Sequence, residues 1–322
     1  MQKPIGPLSV PFNSPLPIAV QEFGRGKPVL SIVSGLYGDE YNGLYVCHLL
    51  IEWLRRIELR QGDHVLRGKV RVLPAINPVG LLLAERNWPF DDTDIDRMFP
   101  GYAQGETVQR LASWVFDRVR HSDACVDIHA SDRFIAEWPQ AAVYSGQNRA
   151  LKLAMAMALP LVCLHRPGPH SPEAMDGSNI LHSTLSYNLL QVGVDSVVVQ
   201  AGRGLHLEPD HCERVFAGLV RLALHLGVVS GPVPGDATTT QVMAGPDFQL
   251  VHSQCPGLFL PLVTTGEIVK TGQPLGRILD PLRGEILEQP LSPRSGWVVS
   301  LRLHPIVLQG SLIARICPGD VC

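Results

Sequence analysis

The residues with the clearest capacity for chemistry lie in a glycine-flanked loop, Ser34-Gly35-Leu36-Tyr37-Gly38-Asp39-Glu40. The loop follows the apolar run Val29–Val33, which predicts a buried strand, and α/β enzymes place metal or substrate sites beyond the carboxyl ends of such strands. A metal-binding version of the loop would carry His-x-x-Glu. Here Tyr37 stands where the histidine would be, whereas Glu40 is present. The loop therefore predicts a metal or substrate site from which one imidazole is missing.

Three further segments place polar side chains at or after predicted strand ends. The second segment contains Asn77-Pro78, then Arg86, then the run 94–101, Asp-Ile-Asp-Arg-Met-Phe-Pro-Gly. The third contains Asp127-Ile128-His129, and the fourth contains Gln200-Ala201-Gly202. Arginine can hold a carboxylate through two parallel hydrogen bonds, and histidine can bind a metal or transfer a proton. A histidine that follows a strand and an aspartate can also be a structural residue, so His129 has two interpretations at this point.

Apolar periodicity predicts the elements that position these loops. Four runs predict strands, over Val29–Val33, Lys69–Leu73, Ala124–Ile128 and Val194–Val199. Three amphipathic stretches predict helices, over Tyr41–Ile57, Thr107–Val119 and Glu208–Leu226. Alternation of this kind favours an α/β fold in which a mixed, mostly parallel sheet has helices on both faces. The Gly/Pro/Ser-rich segment Pro167–Ser178 is long enough to be a substrate-facing loop.

The composition changes near residue 230. The run 230–235 is rich in proline and glycine, and helical periodicity disappears after it. Short β-like runs follow, over Gly257–Leu260, Glu267–Gly272, Leu275–Ile278 and Gly296–Val299. We therefore predict an α/β domain over 1–229, a linker over 230–239, and a small all-β barrel-sandwich domain over 240–322. The last resembles biotinyl/lipoyl-type modules but has no Met-Lys-Met carrier hairpin, which disfavours a carrier function.

Taken together, the four segments resemble the succinylglutamate desuccinylase/aspartoacylase family, a branch of the zinc carboxypeptidase-like (M14-type) hydrolases. That family has Gly-x-His-Gly-(Asp/Asn)-Glu, Asn-Pro, Asp-x-Asn-Arg-x-Phe-Pro-Gly, Asp-Leu-His and a late Glu-x-Gly in this order. Each motif alone is weak, but five in register are specific for fold and ancestry. The resemblance covers nearly the whole chain, because the family also commonly ends in a small β domain.

The resemblance implies a zinc site on Tyr37, Glu40 and His129, of which Glu40 and His129 match the family. Zinc in hydrolases typically keeps three protein ligands and one open position, where it activates water. A phenol has a pKa near 10, so Tyr37 would bind zinc only if the metal displaced its proton. The expected cofactor is therefore zinc, held weakly or lost.

Two further positions depart from the family. Gln200 replaces a glutamate that moves the proton of metal-bound water, and an amide cannot accept that proton although it can orient water or substrate. Asp96 replaces an asparagine that, with the following arginine, holds the substrate carboxylate. Arg86 and Arg97 remain as substrate-binding residues, with Arg86 also a candidate for the oxyanion. An anionic Asp96 favours a substrate that is less acidic or positively charged, unless Arg97 is simply paired with Asp94 or Asp96.

Composition excludes several other function classes. The chain has 322 residues, a net charge of −3 and 45% hydrophobic residues, so nothing favours nucleic acid or an anionic membrane as a partner. No stretch approaches the ~18 apolar residues of a membrane helix, and the N-terminus lacks the pattern of a secretion signal. The 7 cysteines are irregularly spaced, without a C-x-x-C pair. We therefore expect a cytoplasmic protein.

Two functional hypotheses follow. The first is a metal-dependent hydrolase that cleaves an amide bond of an N-acyl amino acid or short peptide, with Gln200 and Arg86 in catalytic positions. The second is a catalytically degenerate family member that binds a small molecule or regulates an active paralogue. A homo-oligomer is compatible with both hypotheses.

Overall fold

The computed structural model describes residues 9–10, 14–15, 18–165, 183–235, 239–244 and 247–319, so the predicted loop Pro167–Ser178 lies outside it. Six α-helices form in these ranges: α1 (Asn42–Glu58), α2 (Pro78–Leu83), α3 (Thr107–Val119), α4 (Asn148–Ala156), α5 (Leu185–Gln191) and α6 (Pro209–His225). A 3-10 turn covers Ile95–Met98. Within the same ranges, no helix is long and apolar enough to cross a bilayer.

The strands divide between the α/β part and the C-terminal part. The first eleven are β1 (Ser9–Val10), β2 (Ser14–Pro15), β3 (Gln21–Gly24), β4 (Val29–Ser34), β5 (Val65–Leu66), β6 (Lys69–Leu73), β7 (Ala124–Ser131), β8 (Ile135–Tyr144), β9 (Leu161–His165), β10 (Asp195–Arg203) and β11 (Val229–Ser230). The others are β12 (Gln241–Ala244), β13 (Gln249–His252), β14 (Gly257–Pro261), β15 (Ile268–Val269), β16 (Gly276–Asp280), β17 (Glu285–Glu288), β18 (Gly296–Arg302), β19 (Ile306–Val307) and β20 (Leu312–Pro318).

The central sheet is mixed and mostly parallel, as predicted. Its strands lie in the order β9-β8-β10-β7-β4-β6-β3. The four neighbours β10, β7, β4 and β6 run parallel, whereas β8 and β3 pair antiparallel with β10 and β6. Because the four central strands point the same way, the loops that follow them meet at one edge of the sheet.

Helices cover both faces of this sheet, which also confirms the prediction. On one face, α1, α4 and α6 pack on alternate strand residues; Leu50 and Leu54 of α1 lie against Leu30 and Ile32 of β4 in the same core. On the other face, α3 and α5 form a second core with the intervening strand residues, such as Val33 and Cys125. Burying each such side chain contributes about 1.5–3 kcal/mol before entropic costs.

The C-terminal part shares strands with the α/β part. Strand β18 pairs with β8, and β12 pairs with β9, so the large sheet continues through β18, β20 and β13. A separate four-stranded sheet has the order β17-β16-β14-β19 and packs on the large sheet through a common apolar core. The small barrel-sandwich domain and the linker over 230–239, part of which lies outside the described residues, stay predictions.

A buried polar network joins the two parts where β8 meets β18. The Glu137 carboxylate accepts hydrogen bonds at Oε2 from Gln140 Nε2 (2.8 Å), Ser300 Oγ (2.8 Å) and Arg315 Nη2 (2.7 Å). Glu137 is 6% exposed, so its charge depends on Arg315 for compensation. Buried pairs of this kind are costly to break because the remaining charge has no partner.

We expect Arg315→Met to destabilise the protein by about 3 kcal/mol, since it leaves the Glu137 carboxylate buried without a cation. The measurement is the free energy of unfolding in urea. Arg277→Met, on an exposed position of β16, is the matched control and should change stability by less than about 0.5 kcal/mol. Equal losses in the two variants would contradict the assigned role of Arg315.

Candidate functional site

Strand register brings the predicted site residues together. Strand β7 lies between β4 and β10, and His129 of β7 is in register with Gln200 of β10. Asp127 is in register with Val33, whose side chain belongs to the core beneath α3 and α5. Because side chains two residues apart on a strand share a face, Asp127 and His129 both point to that side of the sheet. The site therefore opens on the α3 and α5 face.

Two glycines shape the loop between β4 and α1. Gly35 has φ of +68°, a conformation that a residue with a side chain rarely adopts. A Cβ on Gly38 would lie 2.2 Å from both the Glu85 carbonyl oxygen and the Gly80 carbonyl carbon. The Gly38 N–H donates to the Arg86 carbonyl oxygen at 3.0 Å. The loop therefore lies directly on the segment 80–86, which brings Arg86 beside Tyr37.

The central feature of the site is a run of three ionisable side chains, Glu40, His129 and Asp127. His129 Nδ1 lies 3.0 Å from Glu40 Oε2, and His129 Nε2 lies 3.1 Å from Asp127 Oδ2. All three residues are buried. Each ring nitrogen thus faces a carboxylate oxygen at hydrogen-bond distance, an arrangement suited to a doubly protonated imidazolium.

The electrostatics of the run agree with this geometry. Burial lowers the pKa of His129, but the charges and hydrogen bonds of Asp127 and Glu40 raise that pKa well above its usual value. Burial raises the pKa of Glu40, and the charge of His129 opposes that rise. Glu40 Oε1 and Asp127 Oδ1 are buried without a hydrogen bond from the described residues. The hydrogen-bonding capacity of these two carboxylates is therefore only partly used within the described part of the chain.

Tyr37 lies between this run and a second cluster of charges. The Arg86 guanidinium stacks over the Tyr37 ring, 3.7 Å from the centroid, and the Tyr37 hydroxyl donates a hydrogen bond to Asp94 Oδ2 at 3.3 Å. Burial, followed by the charges of Asp96 and Asp94, raises the pKa of Tyr37 well above its usual value. The phenol is therefore held protonated. Arg86 Nη1 also lies 3.4 Å from Asp39 Oδ1 and 3.5 Å from Glu40 Oε1.

The segment 94–97 contributes Asp96 to the site but not Arg97. Asp96 Oδ1 accepts a hydrogen bond from the Leu185 N–H (3.1 Å), at the start of α5. Burial and the charge of Asp127 raise the pKa of Asp96 to about 7. Arg97 Nε pairs with Asp94 Oδ2 at 3.0 Å, and its side chain is 50% exposed. The structural pairing considered from sequence is thus present, whereas a substrate-binding role of Arg97 stays a prediction.

These residues surround a cavity of about 240 Å³. Six of the seven residues predicted from sequence line it: Tyr37, Glu40, Arg86, Asp96, His129 and Gln200. Several other residues on its wall were not predicted as site residues: Asp127, Tyr144, Thr184, Ser186 and Ser196. Asp127 could have been found from its i, i+2 spacing to His129 on one strand. Tyr144 and Ser186 had no such signal, because only packing brings β8 and α5 to the cavity.

The side chains around His129 form a poor ligand set for zinc. In the described part of the chain, no group of three or more His, Cys, Asp or Glu side chains is arranged to hold a metal ion. Both nitrogens of His129 face carboxylates, and the Tyr37 phenol is protonated and donates a hydrogen bond to Asp94. Zinc in hydrolases typically has three protein ligands, so this arrangement does not fit it.

Comparison with known proteins identifies relatives of the whole chain. The model of the succinylglutamate desuccinylase/aspartoacylase catalytic domain matches residues 27–226. A curated relative, the N-alpha-acetyl-L-2,4-diaminobutyric acid deacetylase of Halomonas elongata, is 25% identical over 310 residues, which cover 94% of this chain and 85% of the relative. The family model therefore spans more than half of the chain, including every predicted site residue.

Solved structures share the fold over nearly the full length. A succinylglutamate desuccinylase/aspartoacylase from Rhodobacter sphaeroides superposes with a TM-score of 0.78 at 24% identity, covering 98% of this chain and 94% of that one. The product-bound ectoine utilization protein EutE (DoeB) from Ruegeria pomeroyi gives 0.75 at 21% identity, with 97% and 93% covered. At these identities the likeness establishes the fold.

We expect Asp96→Asn to stabilise the protein more at pH 8 than at pH 5. The pKa of Asp96 is about 7 in the folded protein, above the usual 3.8, so the folded state binds a proton that the unfolded state releases. Stability from this group is thus present at low pH and is lost as the pH rises toward 7. The asparagine keeps the acceptor for the Leu185 N–H and removes the ionisation.

The measurement is the Tm of both proteins at the two pH values. Since about 1 kcal/mol shifts the Tm of a domain of roughly 200 residues by about 2–4 °C, a rise of at least that size is expected at pH 8. Asp63→Asn, on the exposed surface, is the control for a general change in net charge. A shift in Tm that is the same at both pH values would contradict the assigned ionisation of Asp96.

Proposed function

The chain belongs to the succinylglutamate desuccinylase/aspartoacylase family, a family of acyl-amino-acid amidohydrolases, and from this premise we propose that it binds a small ligand without zinc-dependent hydrolysis. The ligand would be an N-acyl amino acid or a related short peptide, bound in the cavity around His129. The observation that carries the proposal is the run Glu40–His129–Asp127, in which the imidazole has no nitrogen free for a metal.

Gln200 supports the same proposal from the neighbouring strand. It is in register with His129 and lines the cavity, where the family has a glutamate. Its amide can donate and accept hydrogen bonds but cannot take a proton from water. General-base catalysis is typically worth about 10²–10⁴-fold in rate, so this position alone would strongly slow the family's reaction. The amide group of an N-acyl ligand is a suitable partner for the Gln200 side chain.

The charges that line the cavity favour a ligand with a cationic group. Three carboxyl side chains, Glu40, Asp96 and Asp127, share the wall with Arg86 and His129. Asp127 Oδ1 has no hydrogen-bond partner among the described residues, and burial, followed by the charge of Asp127, raises the pKa of Asp96 to about 7. An ammonium group close to Asp96 and Asp127 would favour the ionised form of both carboxyl groups. The Halomonas elongata relative is named for N-alpha-acetyl-L-2,4-diaminobutyric acid, a compound with a free amino group.

Metal-dependent amide hydrolysis is the second candidate function, and one observation favours it. Glu40 Oε1 is buried without a hydrogen bond from the described residues, although Arg86 lies 3.5 Å away. Glu40 and His129 also occupy two of the three positions at which the family binds zinc. A metal would have to displace the contacts of His129 and find a third ligand, so this candidate is the weaker of the two.

The test combines metal content, binding and activity. For the wild type we expect zinc far below one equivalent, no hydrolysis of N-acetyl-2,4-diaminobutyrate, and measurable binding of that compound by calorimetry. The double variant Tyr37→His/Gln200→Glu restores an imidazole and a carboxylate, and we expect it to bind zinc stoichiometrically. Tyr37→Phe/Gln200→Glu is the matched control, since phenylalanine keeps the ring but supplies no ligand.

Each result decides between the candidates. Stoichiometric zinc together with hydrolysis in the wild type would overturn the proposal in favour of the metal-dependent hydrolase. Absence of binding by the wild type to N-acetyl-2,4-diaminobutyrate and to neutral or acidic N-acetyl amino acids would overturn the ligand-binding function itself. Binding of an acidic N-acetyl amino acid in preference to the diamino compound would refute the assigned cationic group.

A further inference from the structure

A second cleft, distinct from the cavity around His129, lies where the C-terminal part meets the ends of β7 and β10. Its volume is about 510 Å³. Three chain segments line it: Arg133 and Phe134 after β7, the stretch 203–206 at the end of β10, and the stretch 303–305 after β18. None of these residues lines the cavity around His129. The cleft is therefore a separate feature built on the same two strands.

All ionisable side chains that line this cleft are basic. They are Arg133, Arg203, His206 and His304. In the described part of the chain, neither arginine takes part in an ion pair with a carboxylate. Two acidic residues close by in sequence accept backbone hydrogen bonds: Asp132 Oδ1 accepts from the N–H groups of residues 134 and 135, and Glu208 Oε2 accepts from the Arg203 N–H. Positive charge is thus concentrated in a protein whose net charge is −3.

An aromatic ring forms part of the wall and lies near two guanidinium groups and the ring of His304. The Phe134 ring lies 5.4 Å from the Arg133 guanidinium and 5.8 Å from that of Arg302, and it meets His304 edge-on at 4.9 Å. Arg302 Nε is buried without a hydrogen-bond partner among the described residues. Burial lowers the pKa of Arg302, and the charge of Asp132 opposes that change, so this guanidinium already has a negative group near it. The apolar part of the wall comes from Leu205, Leu303 and Pro305.

We propose that this cleft binds a small organic anion with carboxylate or phosphate groups, held by Arg133 and Arg203. The guanidinium group offers paired N–H donors that match both carboxylate and phosphate oxygens. Two arginines favour a dianion over a monoanion, because the second negative charge gains from the second guanidinium. Phe134, Leu205 and Leu303 give the carbon skeleton an apolar surface. The proposal does not depend on what the cavity around His129 binds.

The experiment measures anion affinity of the full chain by calorimetry, with sodium phosphate and disodium succinate as probes and sodium chloride at matched ionic strength as reference. We expect the wild type to bind at least one of the two probes in preference to chloride. Arg133→Gln/Arg203→Gln should weaken that binding by about tenfold or more, since a hydrogen bond to a charged group is worth about 1.5–3 kcal/mol. Arg277→Gln/Arg294→Gln removes two exposed arginines elsewhere and should leave binding unchanged.

The outcomes separate the two anion chemistries and the failure of the proposal. Binding of phosphate alone assigns a phosphate site, binding of succinate alone assigns a carboxylate site, and either supports the proposal. Absence of preferential binding of both probes overturns it, as does equal weakening in the cleft and control variants. If circular dichroism shows that the double variant does not fold, Arg133→Gln alone, at an exposed position, decides the question through at least a threefold loss of affinity.

Discussion

His129 is held between two buried carboxylates, and the rest of the site depends on that arrangement. Its Nδ1 faces Glu40 at 3.0 Å and its Nε2 faces Asp127 at 3.1 Å. Two carboxylates buried side by side would be unfavourable without a cation between them, and the imidazolium supplies that cation. The same contacts occupy both nitrogens that could otherwise bind a metal. Within the described residues, both imidazole nitrogens are therefore engaged by the protein itself.

Tyr37 is a neutral side chain among the charged groups of the site. The phenol has a raised pKa and donates a hydrogen bond to Asp94, so it adds no charge to the site. Its ring also supports the Arg86 guanidinium, which lies near Asp39 and Glu40. Tyr37 thus contacts both the cationic Arg86 and the anionic Asp94. Gln200 and Asp96 line the same cavity, so the departures from the family pattern lie together in space.

Side-chain hydrogen bonds hold two helix starts to strand β10 beside the site. Asn42, at the start of α1, donates from Nδ2 to the Ala201 carbonyl oxygen (3.0 Å) and to Glu208 Oε2 (2.6 Å), and its Oδ1 accepts from the Glu208 N–H (2.9 Å). These bonds tie the start of α1 and the start of α6 to the strand end that carries Gln200. The backbone next to Gln200 is thus held by a residue that does not itself line the cavity.

The sequence by itself determined the α/β part and most of the site. Helix α3 and strand β6 begin and end where the apolar periodicity predicted. Motifs that follow parallel strands meet at one edge of the sheet, and for this reason one cavity is lined by residues of the glycine loop together with Arg86, Asp96, His129 and Gln200. Strand β8 was missed: its Pro139 lacks an N–H and lies where the register with β10 shifts, between Gln200 and Gly202, an irregularity that sequence does not reveal. Only the tertiary structure decided that Arg97 pairs with Asp94, that Asp127 takes the second nitrogen of His129, and that Arg133 and Arg203 share a cleft. Those outcomes depend on which side chains packing brings within about 3–4 Å, and the strength of a charge interaction changes steeply with that distance and with burial.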